Sequence, residues 1–275
     1  MAQMKIAAIQ MTSGDDVAAN IAAAEGLIAQ AARGGARLAA LPENAFYMRR
    51  EGTVRHPDVA MSAHAGVQAM LRQAKELGVW ILIGSIRALE AGEKPFNRSV
   101  LVSPQGEIAA QYDKLHLFDV TLPNGQKYEE SAQALAGDAL RVVKVDDFRL
   151  GMSICYDVRF PALYRAMALK GADLLAVPSA FTRPTGEAHW HTLLKARAIE
   201  NAAYVIAPAQ CGTHPGGRET YGHSLMIDPW GVVLAEADSA TPGVIAAVID
   251  TARVAEVRGQ LPVLQHHRVL PEVQG

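Results

Sequence analysis

Arg149–Leu150–Gly151–Met152–Ser153–Ile154–Cys155–Tyr156–Asp157–Val158–Arg159–Phe160–Pro161 is the stretch around which the chain is organised. Leu150, Met152 and Ile154 alternate with small residues, which is the period of a short buried strand. Cys155 stands at its end. Pro161 sits where the first turn of a helix belongs, because its fixed φ suits that position. Ala162–Lys170 then carries apolar residues at helical spacing, and Gly171 closes the helix. A cysteine between a strand end and a helix N-terminus is placed where backbone N–H groups and the helix dipole favour a thiolate. A buried structural cysteine accounts for the stretch equally well, since free Cys is among the most buried residue types.

Working outward, strand and helix patterns alternate. Lys5–Met11 reads as a buried strand. Asp15 and Asp16 precede an Ala-rich helix from Val17 to Arg33, ended by Gly34–Gly35. Arg37–Leu41 is a strand closed by Pro42–Glu43–Asn44, Met61–Leu77 a helix capped by Gly78, and Val79–Ile86 an apolar strand. Asn97–Ser103 and Glu107–Gln111 flank a Pro–Gln–Gly turn, and the polar segment Tyr112–Ser131 reads as a loop. Leu140–Val145 and Phe148–Ile154 form a further pair. The second half brings Asp173–Val177, a helix over His189–Asn201, Tyr204–Gln210, a hairpin about Pro229–Trp230–Gly231, Gly243–Asp250 and a short helix Thr251–Arg258. The class is α/β. Each half has an apolar strand, a helix, a strand ending in Pro and a Pro–x–Gly hairpin, which predicts an internal pseudo-repeat with two packed sheets and helices outside.

The 275 residues are 50% hydrophobic and 20% charged, with a formal net charge of −2. That composition supports a sizeable core and argues against disorder. The charge gives no reason to expect a nucleic-acid or membrane-surface partner, and no apolar run is long enough to span a bilayer. The two cysteines, Cys155 and Cys211, make no disulfide framework, so a reducing, cytoplasmic setting is expected. Cys211 follows an apolar strand and reads as core.

Two other positions carry chemistry. Glu43 follows Leu41–Pro42; a carboxylate beside apolar neighbours tends to a raised pKa and can serve as a base near neutrality. Lys114 lies between apolar and aromatic neighbours and can present its ammonium to an anionic intermediate. Separately, a loop glutamate and a solvated lysine explain them as well. Together with Cys155 they supply base, cation and nucleophile at strand ends, where α/β sheets assemble sites.

Leu41–Pro42–Glu43, Tyr112–Asp113–Lys114–Leu115–His116–Leu117 and Ile154–Cys155–Tyr156–Asp157–Val158–Arg159–Phe160–Pro161 resemble, in order, the three catalytic motifs of the carbon–nitrogen hydrolase (nitrilase) superfamily. Pro178–Ser179–Ala180–Phe181, Thr185–Gly186–Glu187–Ala188–His189–Trp190 and Tyr221–Gly222–His223–Ser224 resemble its Nit branch, and within it the amidases acting on deaminated glutathione. The resemblance implies one four-layer α-β-β-α sandwich domain over residues 1–275, with a core of about 4–250 and a C-terminal helix and tail, 251–275, at the interface of a homodimer or higher homo-oligomer. It implies a Glu43–Lys114–Cys155 triad that hydrolyses a linear, carboxylate-bearing carboxamide to acid and ammonia through a thioester, without a cofactor. The same triad serves the ω-amidases of α-ketoglutaramate and α-ketosuccinamate and the nitrilases and N-carbamoyl hydrolases; a non-catalytic interaction protein is the alternative of a different class. Glu130 matches a supporting glutamate, with Glu129 beside it, and the backbone of Tyr156 an oxyanion donor. Phe181, Thr182, Thr185 and His189 fall near the implied pocket, where Arg159 or Arg183 would grip a substrate carboxylate. Ala162 stands where the family usually has Glu, and Thr182–Arg183–Pro184 replaces a smaller stretch. His189-x-His191, His214, His223 and His266–His267 lack companions at metal-ligand spacing, so no metal is expected.

Overall fold

The computed structural model describes residues 2–49, 58–90, 92, 94–122, 125–269 and 271. Helices α1 (Val17–Arg33), α2 (Ala65–Leu77), α3 (Pro161–Leu169), α4 (Arg183–Asn201) and α5 (Thr251–Gln260) accompany two principal sheets. Asp16 caps α1 by accepting from the N–H groups of Ala18 and Ala19, and Gly78 ends α2 with φ 66°.

The first sheet has the order Gly243–Asp250, Gln3–Gln10, Leu38–Ala40, Trp80–Leu89, Phe96–Val102, Ile108–Asp113, with Val59–Ala60 beside Trp80–Leu89. The second runs Arg141–Val145, Phe148–Met152, Leu174–Ala176, Tyr204–Ala207, Leu225–Ile227, Val233–Glu236. In each, an antiparallel outer strand precedes three parallel strands joined through helices, and two antiparallel strands follow. The expected pseudo-repeat is therefore present in six strands of each sheet, Val59–Ala60 being the addition in the first.

Side-chain alternation makes the layers. In Gln3–Gln10, Ile6 and Ala8 face a core shared with Leu150, Leu174 and Val205 of the other sheet, while Ala7 and Ile9 face Ile28 of α1 and Met70 of α2. Helices α3 and α4 cover the outer face of the second sheet through Met167, Trp190 and Leu194. The result is an α-β-β-α sandwich.

Several expected boundaries move. Tyr112–Ser131 is not a plain loop: Tyr112 and Asp113 finish a strand, and Asp119–Thr121 pairs with Lys127–Glu129. Helix α4 begins at Arg183 rather than His189, because Pro184 fits its first turn and Thr182 takes the cap position. Met61–Ala63 is a separate 3-10 turn before α2. Cys155–Arg159 is another, interposed before α3.

Candidate active site

Three segments at strand ends deliver Glu43, Lys114 and Cys155 to one cavity of about 310 Å³. The Glu43 loop crosses Trp80–Leu89 at Gly84, where a Cβ would lie 2.2 Å from the Leu41 carbonyl oxygen. Only glycine leaves room for that approach. Lys114 follows directly on Ile108–Asp113, its N–H bonded to the Asn97 carbonyl at 2.9 Å. Cys155 has φ 47°, left-handed for a residue with a Cβ, a conformation that costs on the order of 1–3 kcal/mol. It is held there by its own N–H on the Pro178 carbonyl and by Asp157, whose N–H bonds Ile154 O while its carboxylate accepts from Ile154 N.

The three side chains are buried, and Lys114 is paired with Glu43. Lys114 Nζ donates to Glu43 Oε1 at 3.1 Å and to Glu130 Oε2 at 2.9 Å. Ala180 N–H donates to Glu43 Oε2 at 2.9 Å, and Asn97 Nδ2 bridges Glu43 Oε1 (3.0 Å) and Glu130 Oε1 (2.8 Å). Glu130 also accepts from the Phe118 N–H, whereas Glu129 pairs with Lys127 at the surface. Contact with Lys114 thus distinguishes Glu130 from its neighbour.

The electrostatics reverse the sequence expectation for Glu43. Burial alone would raise its pKa, but the Lys114 ammonium and hydrogen bonds from Cys155, Lys114 and Asn97 hold it below the usual carboxylate range. Burial and the Glu43 charge push the Cys155 thiol up, against the pull of Lys114. Lys114 is held well above the ordinary lysine range by Glu130 and Glu43, despite burial. At neutral pH the resting state is a carboxylate, an ammonium and a thiol beside the carboxylate.

Two motifs are clamped by a residue that sequence reasoning passed over. Asp157 is fully buried. It accepts from Tyr112 Oη at 2.8 Å and from the His116 N–H at 3.1 Å, and lies 2.7 Å from His116 Nδ1. Lys114 lies between those two partners, so the clamp sets the lysine loop against the cysteine loop. The His116 ring stacks on Phe160 at 3.5 Å.

Glu130, Tyr156, Phe181, Thr182 and Thr185 line the cavity with the central three. Arg159 does not; its guanidinium lies over the Tyr156 and Phe181 rings and 3.3 Å from His189 Nδ1, so both residues back the wall. Arg183 is also absent from the lining and pairs with Glu187 and Glu219 at the surface. The lining cations that local sequence did not signal are Arg49, Arg87, Arg218 and Lys127, the last paired with Glu129. Arg87 is paired with Asp58. Arg49 donates to Gln133 and Arg218 to the Ala180 carbonyl, and each keeps a buried Nε without a hydrogen-bond partner among the described residues. Cys211 is buried away from the cavity.

A family model described as carbon-nitrogen hydrolase matches residues 5–259. A protein of Synechocystis sp. (strain PCC 6803 / GT-S) named deaminated glutathione amidase is 47% identical over 264 residues, 94% of this chain and 96% of that one. The Homo sapiens protein of the same name is 38% identical over 278 residues, 98% of this chain and 83% of that one. Among solved structures, the C. elegans NitFhit protein matches with a TM-score of 0.88 at 35% identity; the match covers 98% of this chain and 66% of that longer one. With its fold, its three ordered motifs and these relatives, the chain belongs to the carbon-nitrogen hydrolase family.

Proposed function

We propose that this chain is a thiol amidase in which Glu43 is the general base and acid, Lys114 the oxyanion stabiliser and Cys155 the nucleophile. The observation that carries the reading is the buried Glu43–Lys114–Glu130 ion network sharing its cavity with a cysteine in a left-handed turn. As Cys155 Sγ attacks the amide carbonyl, its proton passes to Glu43. Negative charge then leaves Glu43 and appears on the substrate oxygen. Both places adjoin the same ammonium, so little reorganisation is needed. Lys114 has three protons; Glu43 and Glu130 take two, and the third faces the oxyanion together with the Tyr156 N–H, which has no intrahelical acceptor in the first turn. Glu43 returns the proton to the leaving nitrogen, leaving a thioester, and then activates water to release the acid.

The substrate class is a linear amide carrying carboxylate, in keeping with relatives named for deaminated glutathione. Arg49 and Arg218, cavity-lining guanidiniums with no carboxylate partner among the described residues, are the groups suited to the carboxylate. This moves the specificity role away from Arg183. The assembly is read as a homodimer or higher homo-oligomer in the cytoplasm, with exposed Leu169 of α3 and Leu261 beyond α5 on its contact face; light scattering tests this. Among the described residues no helix is long and apolar enough to cross a membrane.

Product formation is to be measured on deaminated glutathione, α-ketoglutaramate, a nitrile and a carbamoyl amino acid, with intact mass for the acyl-enzyme. Hydrolysis of the first with a Cys155-linked acyl adduct is expected. A Cys155→Ala protein that retained the rate would refute the mechanism. Turnover of α-ketoglutaramate in preference would move the substrate to the ω-amidase class, and silence on the whole panel would favour a binding role.

A further inference from the structure

His191 looks unpartnered in the sequence, but the fold brings two companions to it. His191 lies on α4, His223 in the turn before Leu225–Ile227, and Glu236 at the end of the edge strand Val233–Glu236. Glu236 Oε1 is 2.8 Å from His191 Nε2 and 2.9 Å from His223 Nδ1, and the three ligand atoms all lie within 4.8 Å of one another. None of the three lines the active-site cavity. We propose that His191, His223 and Glu236 bind one divalent transition-metal ion, as a cross-tie between α4 and the edge of the second sheet.

Geometry supports it first. With metal–ligand distances of about 2.1 Å and tetrahedral or octahedral angles, donor atoms stand about 3.0–3.4 Å apart. The carboxylate–imidazole pairs therefore need to open by only a few tenths of an ångström as the ion replaces the shared protons. Preorganisation supports it next. His223 is held at φ 52° by its own N–H on the Asp238 carbonyl and by Trp190 Nε1, which donates to the His223 carbonyl at 2.8 Å. Trp190 adjoins His191 on α4, so two ligands share one brace. All three side chains keep part of their surface in solvent, which leaves an entry path and room for water ligands.

Two imidazoles and one carboxylate are a donor set for Zn²⁺, Ni²⁺, Co²⁺ or Cu²⁺ rather than Mg²⁺ or Ca²⁺. The first turn of α4 contributes Thr185 to the cavity, and His191 lies about 9 Å further along the same helix. The ion thus braces the helix that carries a cavity wall and takes no part in the hydrolysis.

Calorimetric titration of NiCl₂ and ZnCl₂ into untagged Cys155→Ala protein tests this, the substitution removing the competing active-site thiol. One saturable site per chain is expected, with no binding of MgCl₂. Glu236→Gln and His191→Asn are each expected to weaken binding by roughly tenfold or more. The thermal midpoint should rise with NiCl₂ in the Cys155→Ala protein and not when Glu236→Gln is added. Far-UV circular dichroism in chelator checks that each variant folds, and either one suffices for the test. Absence of saturable binding, or binding unchanged in both variants, would overturn the site.

Discussion

Replacing Asp157 with alanine tests what holds the lysine and cysteine loops together. The carboxylate is fully buried and accepts from the Tyr112 hydroxyl, the Ile154 N–H and the His116 N–H. Alanine leaves three donors without an acceptor in a space shaped for a carboxylate. Each orphaned donor costs about 1–3 kcal/mol. Part of that sum is offset because a carboxylate no longer has to be desolvated, so the net destabilisation is set at about 3–5 kcal/mol. Urea unfolding followed by tryptophan fluorescence reads this as a lower midpoint at unchanged slope. Hydrolysis should fall as well, since Lys114 sits between Tyr112 and His116. The partner test is Tyr112→Phe, which should cost less in the Asp157→Ala background, where the hydroxyl is already orphaned. A loss below about 1 kcal/mol for Asp157→Ala, or no coupling to Tyr112, would refute the clamp.

Three further outcomes follow from the same geometry. Glu43→Gln should lower the hydrolytic rate by about 10²–10⁴-fold; because burial and the Glu43 charge together raise the Cys155 thiol, losing the charge should let iodoacetamide alkylation begin at lower pH than in the parent, and an onset that stays or rises contradicts the electrostatics. Arg218→Ala should raise KM for a carboxylate-bearing amide about 10–100-fold with little change in kcat, reflecting the loss of charge-assisted hydrogen bonds, and leave a neutral amide of similar length unaffected; steady-state kinetics on both substrates decides. Gly84→Ala places a Cβ 2.2 Å from Leu41 O and 2.3 Å from Pro42 O, so the Glu43 loop must move at a cost of about 1–3 kcal/mol or more, visible in the thermal midpoint and in lost activity.

Much of this molecule is legible locally. The bounds of α1, its Asp16 cap, the Gly78 stop, Pro161 opening α3 and the strand that carries Cys155 all follow from hydrogen bonding and side-chain periods within a few residues. The three motifs could be placed at strand ends for the same reason. What stayed out of reach involves partners far apart along the chain. Asn97 bridging Glu43 and Glu130, Asp157 gripping Tyr112 and His116, and Glu236 joining His191 and His223 depend on how sheets stack and loops meet. The pKa of Glu43 shows the difference most sharply. Apolar neighbours in the chain argue for a raised value, but the lysine that lowers it lies 71 positions away and reaches it only across the folded site. Arg218 lines the cavity and Arg183 does not for the same reason: a guanidinium's neighbours in space, not in sequence, decide whether it faces a cavity or a surface carboxylate.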